Sequence, residues 1–355
     1  MPVTGLSFNV FDKWNFGSMT HTADGLVRVD MSSESRDRKV KDSGWFLADL
    51  IEVNGYEERK ENCFYKAERD DFAGGKFPDH FEWSLATASY QIEGGWNEDG
   101  KGLNTWDKFS HWRKEDSLVS DIEIAPDCRI DNCDNGDVAC DSYHKWREDV
   151  QMIKDLGVGL YRFSLSWTRI IPTGYVEDGI NQAGIDYYNN LINELIANDI
   201  EPVVTLYHWD LPQQLHDDFR GWLDFESGKM VKAFVDFSDV AFNAFGDRVK
   251  RWITLNEPAV QAREAYGTGE MAPGWVGQPY WCGHTMLLAH AESYHLYDTK
   301  YRPTQGGLIG ITLSSGFAEG QQPWDPEYWR SAMYAVDFDL GWFAEPIFGS
   351  GTNCY

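Results

Sequence analysis

From residue 77 onward, short runs of β-branched, aromatic and aliphatic residues alternate with longer segments whose apolar residues recur every three or four positions. The short runs predict buried strands at residues 81–86, 159–165, 202–207, 252–255 and 308–313. The clearest of the longer segments predict helices at residues 142–156, 184–197 and 230–245. Strands that alternate with helices are typical of a parallel sheet, so the pattern predicts an α/β barrel.

The strand at 252–255 is followed by the polar pair Asn256 and Glu257 and then by Pro258. Pro258 ends the strand because it has no backbone N–H to donate. Polar side chains at the C-terminal ends of parallel strands are where barrel enzymes keep their chemistry. The pair therefore has two interpretations. It is an acid with a neighbouring amide that can hold a substrate hydroxyl, or it is a turn that closes an ordinary strand.

Three other predicted strands carry polar or aromatic groups that could join Glu257. Gln91 follows the first strand in a stretch of small residues, and its amide can both donate to and accept from the hydroxyls of a sugar. Arg162 lies in the second strand, and His208 and Trp209 follow the third. Because a barrel gathers the C-terminal ends of its strands at one mouth, these side chains are expected to converge on one concave face.

Three longer motifs extend this pattern. They read Gly-Asp-Val-Ala-Cys-Asp-Ser-Tyr-His at 136–144, His-Trp-Asp-Leu-Pro at 208–212 and Leu-Gly-Trp-Phe-Ala-Glu-Pro-Ile-Phe at 340–348. With them, residues 77–348 resemble the family-1 glycoside hydrolases (β-glucosidase family), and within that family the repeats of the lactase-phlorizin hydrolase type. The resemblance implies a (β/α)8 TIM barrel and a retaining exo-β-glycosidase that hydrolyses O-glycosyl bonds of β-glucosides or β-galactosides.

The resemblance also assigns roles to individual residues. It makes Glu257 the acid/base, which protonates the leaving oxygen and later activates water. It makes Asn256 the residue that holds the 2-hydroxyl of the sugar. Gln91, His208 and Trp209 are expected to bind the terminal sugar. Hydrolysis of an acetal by two carboxylates requires neither a metal nor an organic cofactor, so none is expected.

Other charged residues near these motifs have structural alternatives. Arg162 either pairs with a buried carboxylate and tunes the charge of the nucleophile, or forms a structural ion pair in the barrel floor. Glu93 is expected to have a structural role, and His144, at the head of a helix, to pack or to cap that helix. The Asp-rich loop at 121–137 lacks the Gly and Glu spacing of an EF-hand, so a solvated loop is expected.

A retaining mechanism needs a second carboxylate as nucleophile, about 5–5.5 Å from the first. The family carries it in a Glu-Asn-Gly segment at the end of the seventh strand, and the 355 residues contain no such tripeptide. Glu52 precedes Val-Asn-Gly, but it follows a helix-like run at 43–51 and the Asn-Gly pair predicts a helix C-cap. The sequence therefore predicts an incomplete (β/α)8 barrel, with about five N-terminal βα units and no nucleophile, that is inactive as this fragment.

Residues 1–56 resemble the closing part of the same kind of barrel, although they precede its first strand. They contain a candidate eighth strand and a candidate final helix. Where the family has Phe-Glu-Trp, residues 11–14 read Phe-Asp-Lys-Trp, with Asp12 in place of the Glu that binds the outer hydroxyls. Two arrangements fit: the tail of a preceding tandem repeat, joined by a linker at 57–76 to a barrel portion at 77–355, or a permuted barrel whose tail docks on its own chain. The tandem arrangement is the expected one.

The composition of the chain limits the classes of partner that it is expected to bind. A net charge of −26 disfavours nucleic acid and anionic membrane surfaces. No apolar run approaches the length of a membrane span, so no membrane contact is expected within this chain. No signal peptide follows Met1, which leaves a cytoplasmic location open, whereas the resemblance favours an extracellular protein or a membrane-anchored ectodomain. The expected partners are a β-linked glycoside or disaccharide substrate and further repeats of the same polypeptide.

The cysteines leave several chemistries open. Cys128, Cys133 and Cys140 lie close together in an Asp- and Gly-rich loop, where a zinc site, a local disulfide and free thiols all fit. Zinc is disfavoured because no His pair follows at finger spacing, and no metal is expected. The even total of six cysteines and the resemblance favour a secreted or lumenal protein.

Two functions of different classes fit the sequence as a whole. The first is the retaining β-glycosidase described above, with Glu257 as its acid/base. The second is a catalytically dead, klotho-like module that binds glycans or proteins. The residue at the nucleophile position distinguishes the two, because a carboxylate there is needed for the covalent route. A third interpretation is an incomplete gene model that never exists as a folded unit.

Overall fold

A computed structural model of the protein describes residues 5–9, 13–15, 20–22, 25–56, 75–114, 127–322 and 324–349. The strands, numbered in chain order, are β1 (Gly5–Asn9), β2 (Lys13–Asn15), β3 (Thr20–Thr22), β4 (Val27–Val29), β5 (Arg38–Val40), β6 (Gly55–Tyr56), β7 (Gly75–Lys76), β8 (Glu82–Ala86), β9 (Leu160–Ser164), β10 (Glu201–Tyr207), β11 (Arg251–Asn256) and β12 (Leu308–Thr312). The helices are α1 (Asp42–Glu52), α2 (Ser89–Ile92), α3 (Thr105–His111), α4 (Ser142–Asp155), α5 (Trp167–Ile170), α6 (Gln182–Ala197), α7 (Gln213–Phe219), α8 (Lys229–Phe245), α9 (Pro258–Arg263), α10 (Pro279–Leu296), α11 (Arg302–Gln305), α12 (Pro326–Val336) and α13 (Trp342–Phe348). None of these helices combines the length and the apolar character needed to cross a membrane.

Six of the strands form one sheet in the order β1-β8-β9-β10-β11-β12, and every neighbouring pair is parallel. Helices α4, α6, α8 and α10 lie between consecutive strands of this sheet in the sequence. Most residues of β9 and β10 are buried, as expected for parallel strands that helices cover. The arrangement is that of a partial (β/α)8 barrel, in which the C-terminal ends of β8 to β11 share one edge.

The five strands and three helices predicted from periodicity are confirmed. β8 to β12, α4, α6 and α8 each begin and end within two residues of the predicted bounds. The spacing of apolar residues explains this agreement. Helix α8, for example, buries Met230, Phe234, Phe237, Ala241 and Phe245 on one face, three or four positions apart.

The sheet contains one strand more than periodicity predicts. β1 pairs with β8 along its whole length, from Gly5 opposite Glu82 to Asn9 opposite Ala86. It comes from the N-terminal segment in which the resemblance places an eighth strand. Docking on the same chain is the contact that the permuted arrangement requires, whereas the tandem arrangement and the domain boundaries stay predictions. Asp12 lies outside the described residues.

The N-terminal residues 25–52 also pack against α4. Arg38 forms a buried ion pair with Asp149 of α4, and its guanidinium donates a further hydrogen bond of 2.8 Å to the carbonyl oxygen of Cys140. Helix α1 buries Leu47 in the common hydrophobic core. These contacts fasten the segment to the helix that connects β8 to β9.

A short ribbon joins the residues just before the linker predicted at 57–76 to its last two residues. β6 and β7 form a short antiparallel ribbon, with Gly55 opposite Lys76. Asn54 extends this pairing, because its backbone carbonyl accepts a hydrogen bond of 3.0 Å from the N–H of Phe77. Residues 75 and 76 therefore lie in a ribbon, residues 57–74 lie outside the described part of the chain, and the linker stays a prediction.

Candidate active site

Glu257 lies at the junction between strand and helix. Asn256 is the last residue of β11, and Pro258 occupies the first turn of α9, where its missing N–H leaves no helical hydrogen bond unmade. Glu257 between them has φ 45° and ψ 56°, in the left-handed region, and its N–H donates to the carbonyl oxygen of Thr312 at 2.8 Å. The register between β11 and β12 shifts between Ile253 and Asn256. The strand thus ends irregularly at Glu257, which is partly buried.

Asn256 is the centre of a hydrogen-bonded group. Its Oδ1 accepts a bond of 2.5 Å from Nη2 of Arg162, which fixes the orientation of the amide. The amide nitrogen Nδ2 then faces Nε2 of His208 at 3.0 Å. Because an amide nitrogen only donates, His208 must accept at Nε2, which requires the neutral tautomer with its proton on Nδ1. The second hydrogen of Nδ2 is left for another acceptor, such as a sugar hydroxyl.

Arg162 is a cation bound by neutral groups. Its Nε donates to the hydroxyl of Thr205 at 3.0 Å and its Nη2 to Asn256. Burial lowers the pKa of Arg162 to about 10, an effect that the negative charge of Glu257 partly opposes. Among the described residues its hydrogen bonds reach no carboxylate, so neither of the two ion pairs expected for Arg162 is found there.

Trp209 is buried and ties β10 to β11. Its indole N–H donates to the backbone carbonyl of Asn256 at 2.7 Å, and its own backbone adopts φ 79°. His208, the residue before it, is partly buried. The structure thus brings Arg162, His208, Trp209 and Asn256 into one hydrogen-bonded group beside Glu257.

Gln91 belongs to a different part of the same edge. It is buried in the short helix α2, and among the described residues its side chain makes no hydrogen bond to the group around Asn256. Its connection runs through Ser89, whose hydroxyl donates to Oδ2 of Asp210 at 2.8 Å. Asp210 directly follows Trp209, and burial raises the pKa of its carboxyl to about 7. Sequence reasoning missed Ser89 and Asp210, although the acid within the 208–212 motif was a visible signal.

Of the two residues expected to have structural roles, Glu93 has the expected surroundings and His144 does not. Glu93 is buried, forms an ion pair of 2.9 Å with Nε of Arg169 and accepts a bond of 2.6 Å from the hydroxyl of Tyr188, so its structural role is confirmed. His144 neither packs in the core nor caps α4. Its exposed ring lies 2.6 Å from Asp141 and 3.0 Å from Glu98.

The remaining candidates are resolved by their positions. Cys128 and Cys133 form a disulfide, whereas Cys140 is buried and lies outside it, so the three cysteines do not form one set. Glu52 is the exposed last residue of α1, and Asn54 just beyond it has φ 48°. The helix C-cap predicted there is therefore present in place of a strand end.

Comparison with known sequences agrees with this geometry. Residues 73–354 match the family model described as glycosyl hydrolase family 1. Lactase/phlorizin hydrolase of Rattus norvegicus is 47% identical over 331 residues, which are 92% of this chain and 16% of that protein. Myrosinase 1 of Brevicoryne brassicae is 46% identical over 276 residues, which are 77% of this chain and 55% of that protein. The chain thus spans a small part of the first protein and about half of the second.

Solved structures show the same relationship. Aphid myrosinase superposes with a TM-score of 0.70 at 45% identity, over 77% of this chain and 56% of that one. The rice β-glucosidase Os3BGlu6 superposes with a TM-score of 0.69 at 41% identity, over 76% and 55% of the two chains. A family model that spans most of the sequence and a parallel sheet of the same architecture lead to one conclusion: the chain belongs to glycosyl hydrolase family 1.

Proposed function

We propose that this chain carries the acid/base side of a retaining β-glycosidase site that acts on β-glucosides or β-galactosides. The observation that supports it most is the placement of Glu257 beside the Arg162–Asn256–His208 group, at the C-terminal ends of adjacent parallel strands in the fold of this family. Carboxylic acids in that position of a parallel barrel are available to a substrate in the mouth.

In this proposal Glu257 donates its proton to the glycosidic oxygen as the bond between that oxygen and the anomeric carbon breaks. A second carboxylate attacks the anomeric carbon, and Glu257 then takes a proton from the water that hydrolyses the glycosyl intermediate. Asn256 donates to the 2-hydroxyl, while Gln91, His208 and Trp209 bind the rest of the terminal sugar. The second carboxylate of the family lies in a Glu-Asn-Gly tripeptide that is not found in this sequence.

A second candidate function is a module that binds glycans or proteins without turnover. It is favoured by the surroundings of Arg162, whose described hydrogen bonds go to Thr205 and Asn256 rather than to a carboxylate. A buried guanidinium whose described hydrogen bonds go to neutral groups can bind a ligand hydroxyl or carboxylate as readily as it can orient a nucleophile.

The experiment that tests catalysis supplies the missing nucleophile as azide. Purified chain is incubated with phenyl β-D-glucoside, whose poor leaving group needs a proton, with and without sodium azide. Azide can attack the anomeric carbon from the face opposite the leaving oxygen while Glu257 protonates that oxygen. The expected product is α-glucosyl azide, with phenol released in equal amount and only a trace of phenol released without azide.

Two variants test whether the azide-dependent reaction requires Glu257. Glu257→Gln is expected to lower the azide-dependent rate by about 10²-fold or more, because general acid catalysis is removed. Glu270→Gln makes the same chemical change at an exposed position and should leave the rate unchanged. Binding of the glucoside with no azide-dependent product in the unaltered chain would support the binding module instead. Azide-independent turnover that Glu257→Gln abolishes would mean that some carboxylate of this chain, Glu52 or Asp12 first, acts as nucleophile.

A further inference from the structure

A run of hydrogen bonds crosses the C-terminal ends of three strands. The hydroxyl of Ser164, at the end of β9, donates to the hydroxyl of Ser89 at 3.1 Å and accepts from the N–H of Ser89 at 2.7 Å. The Ser89 hydroxyl in turn donates to Oδ2 of Asp210 at 2.8 Å. All three residues are at most 3% exposed, so water does not compete for these bonds.

Two members of this run, Ser89 and Asp210, adjoin residues of the proposed sugar site. Ser89 lies two positions before Gln91 in α2, and Asp210 directly follows Trp209. Trp209 has φ 79°, a conformation that a bulky residue keeps only when its surroundings hold it. The indole N–H of Trp209 is held by the carbonyl of Asn256, and the bond from Ser89 to Asp210 restrains the backbone on the other side.

Among the described residues, Asp210 forms no ion pair of its own. It borders a buried polar cavity that Lys101, Asp107, Glu93 and Arg169 also line, but Lys101 pairs with Asp107 at 2.9 Å and Arg169 with Glu93 at 2.9 Å. Its second oxygen, Oδ1, has no hydrogen-bond partner among the described residues. Burial raises the pKa of this carboxyl, and the hydrogen bond from Ser89 opposes that effect only in part. Glu93 raises the pKa further, and Lys101 lowers it slightly.

We propose that Asp210 is a positioning residue for the sugar site. By accepting the hydrogen bond from Ser89, it fixes the distance between α2, which carries Gln91, and the segment after β10, which carries His208 and Trp209. Neither Ser89 nor Asp210 touches the sugar in this proposal. The identity of the bound sugar rests on the proposed function, whereas the coupling between α2 and the segment after β10 does not.

The test compares Ser89→Ala, Asp210→Ala and Asp210→Asn with Asp217→Asn, the same change at an exposed position seven residues later. The ligand is p-nitrophenyl 1-thio-β-D-glucoside, which is uncharged and resists hydrolysis, titrated calorimetrically at pH 6 and pH 8. Amide hydrogen exchange of residues 87–92 and 207–211 is measured in parallel without ligand. The two pH values bracket the pKa of Asp210.

Removing the hydrogen bond between Ser89 and Asp210 is expected to weaken thioglucoside binding roughly tenfold in Ser89→Ala and Asp210→Ala. Amide hydrogen exchange should become faster in residues 87–92 and 207–211 together. Asp210→Asn should bind within about twofold of the unaltered chain at pH 6, because an amide oxygen accepts the same bond. It should also bind equally well at pH 6 and pH 8, since an amide does not change charge between these values.

Two results would overturn the positioning role. One is that Ser89→Ala and Asp210→Ala match Asp217→Asn in both affinity and exchange. The other is that exchange rises evenly over the whole sheet, which marks general destabilisation. If the unaltered chain shows coupled exchange but no thioglucoside binding, the positioning role stands and the proposed sugar-binding function is contradicted.

Discussion

Asn256 connects every other member of the group around Glu257. Its side chain contacts Arg162 from β9 and His208 from the segment after β10, and its backbone carbonyl accepts from Trp209. A change in any of these three residues therefore reaches the amide that is proposed to hold the sugar. Substitutions within this group should be non-additive, because they share one partner.

The surroundings of Arg162 predict that replacing it affects ligand binding more than stability. Arg162→Met removes a cation whose burial is unfavourable, at the expense of two hydrogen bonds to neutral groups. The free energy of unfolding is expected to fall by no more than about 2 kcal/mol, because removing a buried cation partly offsets the loss of its two hydrogen bonds. Thioglucoside affinity should fall at least tenfold, because the Asn256 amide is no longer oriented. Urea unfolding and calorimetric titration measure the two effects.

Arg330→Met, at an exposed position, serves as the control and should change neither quantity. A loss of more than about 2 kcal/mol in Arg162→Met would show the opposite of the expected result. It would mean that Arg162 forms a stabilising ion pair with a carboxylate outside the described residues.

The buried carboxyl of Asp210 predicts a particular dependence of stability on pH. Its pKa rises from 3.8 when exposed to about 7 in the folded chain, so between these values the folded state binds the extra proton. Raising the pH through this window must therefore destabilise the fold, by on the order of 4 kcal/mol in total for this group. Asp210→Asn removes that contribution. Its unfolding free energy should match the unaltered chain near pH 4 and exceed it at pH 8.

The comparison is made by urea unfolding of both proteins across this pH range, since other carboxyl groups titrate alike in each. Asp217→Asn, an exposed control, should show no pH-dependent difference. A constant offset between Asp210→Asn and the unaltered chain at all pH values would mean that the Asp210 carboxyl remains ionised in the fold.

Part of this site could be predicted from sequence. Asn256, Glu257, His208 and Trp209 were predictable because each lies at a strand end that local apolar pattern marks. The bond between Ser89 and Asp210 was not, because 121 residues separate the two and only the parallel sheet brings them together. Which groups Arg162 contacts also depended on side-chain packing that periodicity does not describe.

At the scale of elements, periodicity identified strands and helices but not every neighbour. Alternation of β8 to β12 with helices fixes their order, since right-handed connections place each strand beside the previous one. β1 has no such connection to β8, because the short ribbons and α1 lie between them in sequence. Its pairing follows from the backbone hydrogen bonds of a sheet edge, for which residues 5–9 carry no local signal.

The ion pair of Arg38 with Asp149 is expected to hold residues 25–52 on α4. Arg38→Met leaves the Asp149 carboxylate buried without its cation and should destabilise the fold by about 3–5 kcal/mol. The double variant Arg38→Met/Asp149→Leu should recover at least half of that loss, because it leaves no buried charge. Urea unfolding gives the free energies, and hydrogen exchange of α1 reports whether the segment detaches.

Arg28→Met is the matched control, because Arg28 is exposed on the neighbouring strand β4. If Arg38→Met destabilised the chain while α1 kept its exchange protection, the ion pair would matter to α4 alone. The N-terminal segment would then be held by its apolar contacts instead.

At the scale of the whole molecule, the last described residues, 324–349 with helices α12 and α13, expose many aromatic and apolar side chains. They include Trp324, Trp329, Tyr334, Phe338 and Phe348, each more than half exposed. Strand β12, which precedes these helices, pairs only with β11 among the described residues. Exposed aromatic groups and an unpaired strand edge both promote association between molecules.

This surface predicts that the isolated chain self-associates at micromolar concentration. Replacing Trp329, Phe338 and Phe348 with Gln should shift the chain towards monomer, because the apolar area available for contact falls. Val276→Gln removes a single exposed apolar residue elsewhere and should have little effect. Sedimentation velocity over a concentration series measures the distribution. Unchanged association in the triple variant would assign it to the strand edge.

At Glu257, the left-handed backbone conformation lowers thermal stability, whereas the glutamate side chain is needed for the proposed catalysis. A residue with a side chain held at φ 45° and ψ 56° is destabilising by on the order of 1 kcal/mol, a penalty that glycine does not carry. Laboratory evolution towards heat resistance alone would therefore favour Glu257→Gly and discard the proposed acid. Glutamate would persist at this position only in populations that are also selected for turnover.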